Sequence, residues 1–351
     1  MTAAADGFVK GEQTMWYKVE GKDGDVVLNS RVALSRNLED YPFSDRMSEE
    51  QLKDLTEKMK TVFRAEDGWN CTELAEAGEA QKKAMAEQRI ISRESAESPR
   101  PAAVFQNEDF TVSVTVGGED HVRIEAVAPG SELPAALEKA LAAEELLDGA
   151  FPIAFAEQFG YVTRNPELLG TGMRASVTMH LPLCGEAGWL SRAAFRMARD
   201  GIGIRSMDGH GMDTGLYMIS NRETMGMTEE EIVGAVSEAA ERLMTKEREY
   251  REAVSENRRA EIAEDVRRNY GILMYAGRIG AGELCSMYSR MRMAAALNLV
   301  DIPVPLVDEA MFTCLPWTLA AAEGKTEAAG LDRERAARAK DILSAAGLRE
   351  N

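Results

Sequence analysis

Apolar and polar residues along this 351-residue chain follow two periods, and the change between them divides it. Up to about residue 220 a period of two recurs. DVVLNSRVAL (25–34) begins as a strand and runs into a polar, basic stretch that ends it. Phe110, Val112, Val114 and Val116 alternate with Thr111, Ser113 and Thr115, the pattern of a half-buried strand. Val122, Ile124 and Ala126 resume the alternation after the turn GGEDH. ASVTMHL (175–181) alternates again, and GIGIR (201–205) reads as a short strand. Helical spacing interrupts the strands. Ser48 and Gln51 make a capping box before a face of Leu52, Leu55, Met59 and Val62. A second helix spans 131–147, and a third runs over about 190–200 until Gly201 stops it. Pro and Ser make ESAESPRPAAV (94–104) a loop.

The second part is different. Thr228 and Glu231 cap a helix that carries Ile232, Val236, Ala239 and Leu243 on one face. From there the pattern is helical to the end, rich in Ala, Glu, Arg and Met, with one break at DIPVPLVDE (301–309). A mixed α+β domain followed by an all-helical one is predicted. The expected boundaries are a loose arm at 1–15, a first domain at 16–252 and a helical domain at 253–351. SMYSRMRMAAALNL (286–299) carries an apolar face that suits either core packing or a homodimer contact.

Charge and cysteines narrow the partners. Acids number 59 against 41 Lys and Arg, a net charge of −18. A nucleic-acid binder carries a basic surface, so direct nucleic-acid binding is not expected, and basic protein segments are favoured instead. No apolar run is long enough to span a membrane, and the first residues have no signal-peptide core. Cys71, Cys184, Cys285 and Cys314 are scattered, with three histidines in the whole chain. That excludes an obvious zinc site and fits a reducing, cytoplasmic setting.

Four arginines sit where a solvated helix face cannot explain them. Arg31 ends a strand pattern and Arg123 lies inside one; Arg174 follows the glycine loop LLGTGM; Arg205 ends GIGIR and precedes SMDGHGMDTG. Guanidinium groups bind phosphate oxygens bidentately, and glycines admit backbone N–H groups to the same oxygens. A charge-dense phosphate ligand is the expectation. Neither a Walker A motif nor a protein-kinase set is present.

NSRVALSRN, GGEDHVRI, GYVTRNPELLGTGMRASVTMHLP and IRSMDGHG…YMISN, in this order, resemble the ATP:guanido phosphotransferases over about residues 16–250. LDRERAARAK (331–340), NYGILMYAGRI (269–279) and LPWTLAAAEGK (315–325) resemble the helical domain of the protein-arginine kinase branch. The resemblance implies a catalytic domain built on a mostly antiparallel sheet flanked by helices, with an all-helical C-terminal domain. It implies transfer of the ATP γ-phosphoryl group to protein arginines, with Mg²⁺ assisting and no metal held by protein side chains alone. It assigns Glu119 as the catalytic carboxylate, with Asp120 and His121 shaping its loop. It assigns Ser30, Arg31, Arg123, Arg174, Ala175, Ser176, Val177, Arg205 and Gly209 to the nucleotide, His210 and Asp213 to the substrate side, and Asp332, Arg335 and Ala336 to a phosphoarginine pocket. The partners it implies are basic or misfolded proteins, an activator, protease–chaperone machinery under stress, and a second copy of the chain.

The chain departs from the family pattern at several positions. Ala33 replaces an arginine, Gly117 and Gly118 loosen the turn before Glu119, Asn165 replaces a cysteine, His210 a glutamate and Arg89 a histidine. Three readings follow: an active protein-arginine kinase, an impaired regulator that binds phosphoarginine or nucleotide, and a kinase for free arginine or another small guanidine.

Overall fold

The computed structural model describes residues 15–207 and 214–344. Its first part contains β1 (Val27–Arg36), α1 (Glu49–Ala65), β2 (Trp69–Glu73), α2 (Glu79–Glu87), α3 (Arg93–Glu97), β3 (Ala103–Asn107), β4 (Val112–Val116), β5 (Val122–Pro129) and α4 (Leu133–Asp148). A two-stranded ribbon, β6 (Phe155–Ala156) with β7 (Gly160–Tyr161), follows. Then come β8 (Met173–His180), α5 (Pro182–Glu186), α6 (Trp189–Met197), β9 (Ile202–Ser206), β10 (Leu216–Asn221) and the long α7 (Glu229–Glu252). The helical part is α8 (Glu256–Tyr275), α9 (Ala281–Ala296), α10 (Val304–Thr313), α11 (Pro316–Glu323) and α12 (Ala328–Ser344).

Eight strands form one sheet in the order β2-β3-β4-β5-β1-β8-β10-β9, with each neighbouring pair antiparallel. The expected α+β architecture is therefore present. β1 lies near the middle, and all ten of its residues are buried. Arg31 does not end this strand; it sits inside it. The strand runs on through this stretch, and its residues alternate sides: Ser30, Val32, Leu34 and Arg36 face one way, Asn29, Arg31, Ala33 and Ser35 the other.

One face carries Val32, Leu34, Val114, Ile124, Ala175, Val177 and Ile219. They pack against Leu52, Leu55, Met59 and Phe63 of α1, Leu137 and Leu147 of α4, and Ile232, Val236 and Leu243 of α7. Each such side chain contributes roughly 1.5–3 kcal/mol by leaving water. Arg36 shares this face. Its Nε and Nη2 donate to Glu144 at 2.5 and 3.0 Å, and its guanidinium lies 3.6 Å from the centre of the Tyr161 ring. Gly172 passes beside it with φ 61°, where a Cβ would come within 2.7 Å of the Ser35 carbonyl oxygen and of Arg36 Nη1. Only glycine fits that turn.

The other face is covered too, so β4 is buried throughout and not half-buried. Ser113 Oγ donates to the Ile90 carbonyl, 3.1 Å away in the segment that lies over it. Part of the stretch read as loop is the short helix α3, and Phe110 takes φ 56° in a turn before the strand begins. A second core runs from this face into the helical part. It joins Leu28, Val104 and Val127 of the sheet and Met85 and Ile90 of the cover to Val266, Leu273, Met287, Met291 and Met293. The Met-rich stretch therefore packs inside its own chain, which removes the sequence argument for a dimer drawn from it. Tyr17 stacks on Phe312 of α10, and Trp16 meets the same ring edge-on. The expected helix break is confined to residues before Val304, where proline starts α10 in its favoured first turn.

Arg292 of α9, wholly buried, ties the two parts together. Its Nε donates to Asp308 at 2.9 Å, Nη1 to the Asp25 carbonyl at 3.0 Å and Nη2 to the Gly24 carbonyl at 2.7 Å. Tyr288 donates its hydroxyl to the same Asp308 oxygen at 2.7 Å. All four cysteines are free thiols. No helix among the described residues is long and apolar enough to cross a membrane.

Candidate active site

Register decides which side chains meet. In β1, Arg31 pairs with Val127 and Ser176, Ala33 with Glu125 and Arg174, and Ser35 with Arg123. Thr178 pairs with Met218, which pairs with Arg205. Side chains directly opposite each other share a face. Arg31, Arg123, Glu125, Arg174, Ser176 and Arg205 therefore lie on one face of the sheet, opposite the first core. Arg205, at the end of β9, is exposed.

The arginines are held differently. Arg31 is buried, and its Nη1 and Nη2 donate to the backbone carbonyls of Arg89 and Gln88 at 3.2 and 3.3 Å. Burial pushes its guanidinium down to about 9, Arg89 adds to this, and Glu125 opposes it. It remains a cation at neutral pH. Its Nε is buried without a hydrogen-bond partner. Arg123 donates Nε to Glu125 Oε1 at 2.8 Å. Burial works against its charge, but Glu125, Asp120 and Glu119 together hold it above the usual arginine range. Arg174 donates Nη1 to the Asn221 carbonyl at 2.6 Å. Burial lowers it, as do Arg123 and Arg205, against Glu167. Arg89 is lowered by burial and by the same two arginines. Mutual repulsion of this kind requires proximity, so five cations share one field. A cavity of about 560 Å³, lined in part by Glu167, Leu169, Arg174, Arg222 and Met225, opens beside Arg174.

Glu119 is exposed at the tip of the β4–β5 turn, near enough to Arg123 to act on its charge. The turn is well tied. Gly117 N–H donates to the His121 carbonyl at 3.0 Å. Asp120 Oδ1 accepts from Asn37 Nδ2 and from the Arg164 backbone N–H, both at 2.7 Å. His121 Nδ1 accepts from Leu38 N–H at 3.0 Å, which leaves Nε2–H to donate to the Pro42 carbonyl at 2.7 Å. Burial keeps this histidine below its usual range. Gly117 has φ 84°, and a Cβ there would meet the Pro101 carbonyl at 2.9 Å. Gly117, expected to loosen the turn, instead lets it pack against the loop at Pro101.

Other residues named from the sequence fall elsewhere. Ala175 and Val177 point into the first core, and Ser30 shares their face, its hydroxyl donating to the Gly130 carbonyl at 2.8 Å. None of these three side chains reaches the arginine face, because strand neighbours alternate sides. Gly209, His210 and Asp213 lie outside the described residues. Arg335 and Ala336 are buried in the helical part. Arg335 donates to the Cys314 and Ile279 carbonyls at 3.1 and 2.9 Å and to Asp332 at 2.6 Å. Asp332, one turn earlier in α12, is half-buried. Sequence reasoning missed Glu125 as a site residue, although the alternation that carries Arg123 places it two residues on, on the same face. It noted Arg89 only as a departure; the positive φ of 60° that brings its carbonyl to Arg31 has no sequence signal.

Comparison with known proteins bears on the whole chain. The family model "ATP:guanido phosphotransferase, C-terminal catalytic domain" matches residues 50–250. "Protein-arginine kinase McsB C-terminal domain" matches residues 259–351. The protein-arginine kinase of Brevibacillus brevis is 31% identical over 88% of this chain and 89% of its own length. That of Symbiobacterium thermophilum is 31% identical over 96% of this chain and 98% of its own. Among solved structures, the duplicated taurocyamine kinase of Schistosoma mansoni with bound transition-state analog components superposes with TM-score 0.59 at 22% identity. That match covers 73% of this chain and 40% of that one. A lombricine kinase structure gives 0.58 at 17% identity, covering 70% and 71%. At these identities the two structures speak for the fold alone. The catalytic-domain match, the helical-domain match and the near full-length relatives agree: the chain belongs to the ATP:guanido phosphotransferase family.

Proposed function

We propose that this protein transfers the γ-phosphoryl group of ATP to arginine side chains of proteins, with the polyphosphate on the arginine face and Glu119 at the acceptor. The observation that carries the reading is the placement of Arg31, Arg123, Arg174 and Arg205 on one face of the sheet, with Glu119 exposed at the tip of the turn that leads into the strand of Arg123. Phosphoryl transfer needs alignment of donor and acceptor and neutralisation of the charge on the transferred group. The arginines supply the second. The acceptor nitrogen belongs to a protonated, delocalised guanidinium. Glu119 would orient it by charge and take its proton as the N–P bond forms and the bond from Pγ to the ADP oxygen breaks. Asp120 and His121 hold the turn that presents Glu119.

Among the described residues no three His, Cys, Asp or Glu side chains converge to hold a cation, and the arginine face carries mainly positive charge. A divalent ion such as Mg²⁺ would thus ride on the polyphosphate, where it neutralises phosphate charge. The net charge of −18 favours basic protein segments over acidic ones as substrates.

The test is incubation with γ-labelled ATP, Mg²⁺ and either an arginine-rich protein or free arginine. Acid-labile label on the protein, abolished by Glu119→Gln, is the expected result. Label on free arginine alone would replace the protein substrate by a small guanidine. Nucleotide binding without turnover would make the protein a binding regulator.

A further inference from the structure

Glu125 stands among the cations of the arginine face, and the proposed chemistry gives it no task. Its Oε1 accepts from Arg123 Nε at 2.8 Å, and its Oε2 is 3.8 Å from Arg31 Nη1. Its carboxylate also acts on the charge of Arg89. The side chain is 13% exposed, and that of Arg31 9%. On one side its register partner is Ser113, on the other Ala33, whose methyl group leaves the row between Glu125 and Arg174 without a larger side chain. The acid is thus an anion set among the arginines where a phosphate oxygen would be drawn.

We propose that Glu125 is the resident counter-anion of the nucleotide site: it orients Arg123, neutralises Arg31 while the site is empty, and competes with nucleotide phosphate for both. This rests on the reading that the arginine face binds nucleotide. Clustered cations in a partly desolvated place repel one another. One carboxylate among them stabilises the empty site. The same carboxylate repels the polyphosphate once it enters, so it sets an upper limit on nucleotide affinity. A residue that only supports the fold would act in the opposite direction, because losing it would weaken both the fold and nucleotide binding.

The two signs can be separated by calorimetric titration of full-length protein with MgADP. Glu125→Gln keeps the shape and the acceptor for Arg123 but removes the charge. It is expected to bind MgADP about tenfold more tightly, from like charges several ångströms apart in a partly screened site. Without ligand it should melt lower than wild type, and MgADP should raise its melting temperature by more. Glu125→Asp keeps the charge and should bind no more tightly than wild type. Arg174→Ala serves as the control on the site itself and should weaken MgADP at least about tenfold. If Arg174→Ala weakens binding while Glu125→Gln binds no more tightly than wild type, the Glu125 inference falls and the nucleotide site stands. Tightening by Glu125→Asp equal to that by Glu125→Gln would also overturn it. If Arg174→Ala binds as wild type does, the nucleotide reading of this face falls first.

Discussion

Arg292→Ala probes how the helical part is attached. The guanidinium makes three hydrogen bonds, one to the Asp308 carboxylate and two to the backbone carbonyls of Gly24 and Asp25. Removing one partner of a buried ion pair costs about 3–5 kcal/mol, because the other charge is left uncompensated. Each orphaned carbonyl adds roughly 1 kcal/mol or more where water cannot reach it. Two features limit the loss. A cavity of about 390 Å³, lined in part by Gly24, Asp25, Ala295 and Asp308, gives water a path to these groups. Burial already raises Asp308 against the pull of Arg292, so without the arginine the acid takes up a proton instead of staying charged. A loss of about 4 kcal/mol is expected. At roughly 2 °C per kcal/mol for a chain of this size, the melting temperature should fall by about 8 °C. Scanning calorimetry and urea titration measure it, and the shared second core predicts one cooperative transition rather than two. The double variant Arg292→Met with Asp308→Asn should recover at least half of the loss, since it leaves no buried charge. A single variant melting within 2 °C of wild type, or a double variant as unstable as the sum of the singles, would refute the reasoning.

Three further outcomes are expected. His180 is wholly buried, its Nε2 bonded to Ser289 Oγ at 2.9 Å, and burial, then Arg292 and Arg251, hold it well below its usual range. The unfolded chain takes up a proton near pH 6.5 that the folded one refuses, so stability is full above that pH and falls as pH drops below it. His180→Asn should flatten the slope of unfolding free energy between pH 6.5 and 5 by up to about 1.4 kcal/mol per pH unit; an unchanged slope would show that this histidine titrates alike in both states. Gly172→Ala puts a Cβ 2.7 Å from the Ser35 carbonyl at φ 61° and should cost about 2 kcal/mol or more in urea titration, whereas Gly226→Ala meets nothing within 4 Å and should show only the smaller cost of its own positive φ. Asp120→Ala releases Asn37 and the Arg164 N–H and displaces Glu119. It should lower kcat about tenfold or more while MgADP affinity stays within about twofold; an equal fall in affinity would show that the turn supports the arginine face itself.

Much of this molecule was legible in residue order, because periodicity and capping are local. The strand alternation at 112–126 and 175–181, the capping boxes at Ser48 and Thr228 and the stop at Gly201 all stand where nearest-neighbour sterics and burial put them. The four arginines could be singled out because charge in a strand or beside a glycine loop needs a reason. What residue order could not supply was which way each strand residue faces once the sheet is assembled. That rests on pairing between residues far apart in sequence, such as Ala33 with Glu125 and Arg174. Pairing put Arg31, Arg123, Arg174 and Arg205 together, sent Ser30, Ala175 and Val177 to the core, and placed an unlooked-for carboxylate among the cations. It also covered part of the second face of the sheet with the segment around Ile90 and the helical part, so a strand that reads as half-buried is buried on both sides and a methionine stripe that reads equally as core or as interface is core. Local sequence determined the elements and their chemistry; long-range contacts alone decided which chemistries meet.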